Sequence, residues 1–217
     1  MNIKKLKEAE KNFLDEYPGG FTHPAMVEIV SKHKPAKMRE LARESFAKKN
    51  FSDPEEIVER MVKVVSLSSM VSLFEKPKFR DFARSLSPAG KRELARGLEE
   101  FLHGDEKTGF ERLVAVLGKA KLAKWPLVTV CPFYFRPEKE VFIKPTTVKG
   151  VIEYFELEGL VYNSAPTYDF YRNYRAAINE MKKKVDKSLS IDNGHFSGFL
   201  MMTMGGPGHA GRLRPPR

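Results

Sequence analysis

The chain is short of the residues on which most recognisable chemistry depends. It has one cysteine, Cys131, in 217 residues, which excludes an internal disulfide and any multi-cysteine zinc or iron–sulfur centre. Its histidines are His23, His33, His103, His195 and His209. No two stand three or four apart, so no helical face offers two imidazoles to a metal, and no His-Glu-x-x-His is present. No metal and no cofactor is expected. Gly205-Gly206-Pro207-Gly208 is rich in glycine, but no strand precedes it and no helix with Gly-Lys-Ser/Thr follows it. Neither a phosphate-cradling loop nor a Rossmann cofactor site has support there. The Gly-x-Ser-x-Gly of a serine hydrolase is absent too. Long apolar runs are also missing. Trp125 to Phe135 is the strongest, 11 residues interrupted by Pro126, Thr129 and Pro132, whereas a membrane span needs ~20.

What is present describes a packed, basic protein. The chain is 41% hydrophobic and 30% charged, enough to bury a core. Lys+Arg 38 against Asp+Glu 28 gives a net charge of +10. The basic start, Met1 to Leu6, lacks the apolar stretch of a signal peptide, so a cytoplasmic setting is expected, and a lone buried thiol suits it.

Most of the chain reads as helix. Ile3, Leu6, Phe13 and Leu14 share a stripe that ends at Tyr17-Pro18-Gly19-Gly20-Phe21, where glycine permits positive φ and proline stops a helix. Helices follow from Pro24 to about His33 and from Pro35, the latter with Met38, Leu41, Ala42 and Phe46 inside. Ser52 with Glu55 has the spacing of a capping box, ahead of Ile57, Met61, Val64 and Val65. Pro77 opens a helix carrying Phe79, Phe82 and Leu86. Ser87-Pro88 caps another, which buries Leu94, Leu98, Phe101 and Leu102 and ends at Gly104. Asp105 caps a helix with Phe110, Leu113, Val114 and Leu117 inside. Trp125 to Phe135 is apolar all round. Val128, Thr129 and Val130 favour a strand, and length and context favour a helix that Pro132 would kink. The strand alternative is a short β-hairpin near 128–143. Pro145 begins a helix with Val148, Ile152 and Phe155, closed by Gly159. Tyr168 to about Val185 is a long amphipathic helix, and Phe196 to Met204 closes the fold. The expectation is an all-α, single multi-helix globular domain over 1–204, with no sheet of four or more strands. Residues 205–217 hold four glycines, three prolines and three arginines, and a disordered tail is expected there.

Several landmarks carry a resemblance: the Tyr17–Phe21 turn, Phe74-Glu75-Lys76, Phe142-Ile143-Lys144-Pro145, Tyr168-Asp169-Phe170-Tyr171, and Phe196-Ser197-Gly198-Phe199-Leu200. In that order they resemble a family of uncharacterised bacterial proteins, over nearly the whole chain to about Met204. The resemblance implies one integrated domain and brings no activity or catalytic residue with it.

Two functions are open. The first is a non-enzymatic protein that binds a partner, nucleic acid foremost, through a basic helical face. Lys76, Lys78 and Arg80 form one cluster of cations. Arg172, Arg175, Lys182, Lys183 and Lys184 form another, interleaved with Tyr171 and Tyr174. Such cations suit phosphates, and such tyrosines suit unpaired bases. On the same helix, core packing is the other reading of the tyrosines. Thr146, Thr147 and Lys149 open a helix that resembles the recognition helix and wing of a winged-helix domain, and an ordinary amphipathic helix fits them as well. The second function is an enzyme whose active site is dispersed along the chain. A concave pocket with converging Glu, His or Tyr would favour the enzyme, and a positive surface without one would favour binding.

Overall fold

A computed structural model describes residues 1–205. The expected tail therefore lies, from residue 206 onward, outside the described residues. Among these residues there are eleven α-helices and no strand: α1 (Ile3–Glu16), α2 (Pro24–Ser31), α3 (Pro35–Ser45), α4 (Pro54–Leu67), α5 (Glu75–Ser85), α6 (Pro88–His103), α7 (Glu106–Gly118), α8 (Trp125–Phe135), α9 (Pro145–Tyr154), α10 (Tyr168–Lys182) and α11 (Asn193–Thr203). The all-α expectation holds. Gly19 and Gly20 take φ of 83° and 60° in the turn after α1.

Local chemistry explains most of the helix starts. Ser87 Oγ accepts from Gly90 N at 3.2 Å, and Asp105 Oδ1 accepts from Thr108 N at 2.7 Å. The start of α4 differs from the expected capping box. Asp53, not Ser52, is the cap, and its Oδ1 accepts from the amides of Glu55 and Glu56, each at 3.1 Å. Pro54 takes the first helical position and forces the residue before it into extended backbone, so Asp53 alone has cap geometry. The Ser52 hydroxyl instead bonds Lys49 O at 3.4 Å. Helix α5 begins two residues before Pro77, because a first-turn proline lacks only an amide that would have no helical partner.

The segment Trp125–Phe135 is helix α8, and no hairpin forms over 128–143. Nine of its residues, Trp125 and Leu127 to Tyr134, are buried, so packing on all sides overrides the β preference of Val128 to Val130. The chain at Ile143 still runs beside it. Thr129 Oγ1 donates to Trp125 O at 2.7 Å and accepts from Ile143 N at 3.2 Å. A helix side chain thus takes the amide that a paired strand would have taken. Helix α9 ends at Tyr154, short of Gly159. Glu156, at φ 52°, makes the left-handed turn, and Leu157 N reaches back to Ile152 O at 2.9 Å, a Schellman closure.

The most extensive helix pairing is between α6 and α7. A Cβ on Gly109 would stand 2.1 Å from Phe101 N and 2.7 Å from Gly97 O. Those are backbone atoms and cannot rotate away. Gly109→Ala is therefore expected to push the two helices apart and to cost at least the ~1–3 kcal/mol typical of overpacking. Urea unfolding of that variant checks it, and an unchanged midpoint would refute the close approach.

Candidate functional site

The cations of α10 are the first place to look for a basic face. Arg175 is not available to a phosphate. Its side chain is 11% exposed, and Nη1 bonds Glu140 Oε2 at 2.6 Å and also meets Glu106 Oε1. The Tyr171 hydroxyl donates to the same Glu140 oxygen at 2.8 Å, and the Glu140 side chain is wholly buried. Burial opposes the charge on Arg175, but Glu140 outweighs it and holds the guanidinium pKa above its ordinary value. Burial likewise works against the Glu106 carboxylate, and Arg175 and Lys139 overcome it and lower its pKa. Lys182 is held too. Its ammonium donates to Glu138 O at 2.6 Å and to Asn193 Oδ1 at 2.8 Å, and burial lowers its pKa. Lys183 and Lys184 share Glu180 at 3.2 and 3.3 Å. Arg172 is exposed, with Asp169 at 3.9 Å. Tyr171 and Tyr174 are 0% and 3% exposed, which leaves core packing as their role. The expected face of α10 is thus largely framework, because acids distant in sequence turn inward onto it.

This framework continues into the start of α11. Asp192 Oδ1 accepts from Gly194 N and His195 N, each at 2.9 Å, and meets His195 Nδ1 at 2.8 Å. Its other oxygen meets Arg39 at 2.7 Å. Burial alone would raise the Asp192 pKa; the His195 contacts and Arg39 together outweigh it and hold the carboxyl below its ordinary value. A carboxylate with a depressed folded pKa stabilises fully above its unfolded value, ~3.9, and loses that stability as the pH falls through the folded value. The melting temperature is therefore expected to fall steeply below about pH 4. Asp192→Asn keeps a capping group but should show a shallower fall, measured by thermal melts from neutral to acid pH.

Among the described residues, no three of His, Cys, Asp and Glu are grouped to hold a metal ion. Cys131 is buried, and burial pushes its thiol pKa far up, so it has no thiolate to attack with. His103 ends α6, and its Nε2 meets Phe46 O at 2.8 Å. It lines an open groove of about 540 Å³ with Glu93 and Glu100. Both acids are taken by arginine: Arg112 bonds Glu93 at 2.6 Å and Glu100 at 2.8 Å, and Arg96 bonds Glu100 at 2.9 Å.

A larger open groove of about 940 Å³ is bordered by Leu41, Glu44, Lys49, Lys63, Arg80 and Arg84, among others, from α3, α4, α5 and the turn after α3. Arg84 holds Glu59 through two nitrogens at 2.9–3.2 Å, and Arg80 holds its neighbour Asp81 at 2.8 Å. Lys49 and Lys63 have no carboxylate within 4 Å among the described residues. Neither do Lys76, one turn before Arg80 on the same face of α5, and Lys78. At the head of α5 lies an apolar tip, Leu73 and Phe74, 78% and 81% exposed; Leu67, which ends α4, is 55% exposed. Phe74 faces outward, although Phe79 and Phe82 nearby lie in or against the core.

The N-terminus of α9 approaches this end. His33 Nδ1 meets Ser69 Oγ, in the loop before α5, at 2.8 Å. Desolvation and then the charge of Lys144, the residue before α9, lower the His33 pKa. Thr146 is exposed, and Lys149 lies over the Tyr162 ring at 5.0 Å. No strand follows α9 among the described residues, so the wing of the winged-helix reading is missing. Compared with family models, curated proteins and solved structures, the chain matches none. Among the described residues, no helix is long and apolar enough to cross a membrane.

Proposed function

We propose that this is a non-enzymatic, cytoplasmic binding protein that takes a nucleic acid on the basic end of the molecule formed by α4 and α5. One observation carries the reading. Lys49, Lys63, Lys76 and Lys78 lie along one groove and one helix with no carboxylate partner among the described residues, while the α10 cations are mostly paired. Unpaired lysines release counterions when they meet phosphates. The enzyme reading is weaker, since the carboxylates beside His103 are engaged by arginine.

The test is a salt series on labelled DNA and RNA. It uses the full chain with Arg212, Arg214 and Arg217 changed to serine, so that sequence beyond residue 205 does not supply the charge. Three phosphate contacts on a single strand are expected to give a slope of log K against log salt near −2, at about −0.7 per contact. Lys63→Glu, Lys76→Glu and Lys78→Glu together should abolish most of that slope and leave the melting temperature nearly unchanged, because unpaired surface lysines contribute little to stability. No binding at low salt would overturn the proposal.

A further inference from the structure

The apolar tip beside those lysines is unexplained by packing. A fully buried phenylalanine stabilises a protein by roughly 1.5–3 kcal/mol relative to an exposed one, and Phe74, 81% exposed, contributes little of that. A single exposed apolar residue needs no explanation. Here Leu73 and Phe74 are adjacent, Leu67 closes the preceding helix, and all three are more than half exposed. Phe74 is also held in place. It is the residue before α5, at φ −78°, and its amide donates to Ser72 Oγ at 3.2 Å. The amides of Glu75 and Lys76 both bond Ser72 O, at 3.0 and 3.2 Å. The ring therefore projects from a backbone fixed by hydrogen bonds.

We infer that Phe74 is a stacking platform for an unpaired base, and that the ligand of the basic end is single-stranded nucleic acid. This rests on the proposed function and narrows it. A phenyl ring has no donor or acceptor with which to read a base edge, so its useful surface is its face. In a duplex the base faces are covered by their neighbours, and only an unpaired base offers one. Lys78, four residues further on, lies on the same side of the helix as Phe74 and is placed to meet a phosphate next to the stacked nucleotide; Lys76, two residues on, lies on another face of α5, the one that carries Arg80. Leu73, adjacent to Phe74 and 78% exposed, supplies apolar surface for the sugar. Glu75, the one acid in that turn, is turned to Lys124 at 3.3 Å, which moderates its repulsion of the strand. Arg80, one turn beyond Lys76 on the same face of α5, borders the groove with Asp81 beside it at 2.8 Å.

The experiment compares four full-length proteins, all carrying the three tail serines: the parent, Phe74→Ala, Phe74→Trp, and the Lys63, Lys76 and Lys78 triple glutamate. The probes are a labelled mixed-sequence single strand, its annealed duplex, and vesicles containing anionic lipid. The parent is expected to prefer the single strand. Phe74→Ala should weaken single-strand binding by about 5- to 150-fold, the range that one base–aromatic stack spans, and change duplex binding less than twofold. Phe74→Trp should retain the affinity and lose indole emission when the strand is added; the native Trp125, buried in the core, is unaffected. If the triple glutamate loses binding while Phe74→Ala binds as the parent does, the stacking inference fails and the proposed function stands. Equal weakening on single strand and duplex also overturns stacking. If no oligonucleotide binds, both fall. Binding to the vesicles but not to oligonucleotides would make the tip a lipid contact and overturn both.

Discussion

Arg175→Ala is expected to destabilise the protein by about 3–5 kcal/mol, because it leaves a buried carboxylate without its main partner. Glu140 has no exposed side-chain surface. Its Oε2 would keep only the Tyr171 hydroxyl, at 2.8 Å, and its Oε1 has no hydrogen bond. Arg136 and Lys139 stand 3.9 and 3.4 Å from that oxygen. Glu106 would also lose Arg175 and keep Lys139 at 3.1 Å. The effect belongs to breaking the pair, not to its net worth. Replacing both partners, Arg175→Met with Glu140→Gln, removes the stranded charge and should recover most of the loss. Urea unfolding of the two single variants and the double variant closes the cycle. If Arg175→Ala unfolds like the parent, the arginine is not held as described and returns to the list of phosphate contacts.

Trp125→Ala is expected to cost a similar ~3–5 kcal/mol. The indole is 1% exposed and packs on Phe170 and Phe110 at centroid distances of 5.3 and 6.1 Å. Its Nε1 donates to Asn163 O at 2.7 Å, which fixes the loop between α9 and α10. Alanine leaves a cavity and an unmatched carbonyl together. A stability of ~5–15 kcal/mol is ordinary for a domain, so the variant would be marginal or unfolded. Trp125→Phe should lose less, since it restores most of the volume but not the hydrogen bond. A Trp125→Ala protein that melts at the parent temperature would contradict the burial.

These two sites mark the limit of what the sequence discloses. Trp125 was legible as core, as were Phe133 and Phe155, 5% and 0% exposed, because apolar runs and a 3.6 period are local signals. Ser87 and Asp105 were legible as caps for the same reason. The cap of α4 is one residue beyond Ser52, because Ser52 and Asp53 both have the chemistry and only the backbone at Pro54 chooses. Arg175 is different. Nothing around it in sequence distinguishes it from Arg172, and Glu140 comes to it from 35 residues away. Basic runs are legible in a sequence, but which of their members are neutralised is decided by the fold. Phe74 shows the converse, an aromatic that no local signal places and that the fold leaves outside.

The glycine contact between α6 and α7 also bears on the order of folding. Two residues, Gly104 and Asp105, separate these helices, so their pairing closes a very short loop and gives up little chain entropy. The seam between α1 and α11 joins residues near opposite ends of the described chain, Phe13 against Phe199 at 5.4 Å. That contact has a far greater loop to close. The helical hairpin of α6 and α7 is therefore the natural early nucleus, and the α1–α11 seam is the late closure. Weakening the hairpin is then expected to slow refolding, and weakening the seam chiefly to speed unfolding, in stopped-flow measurements.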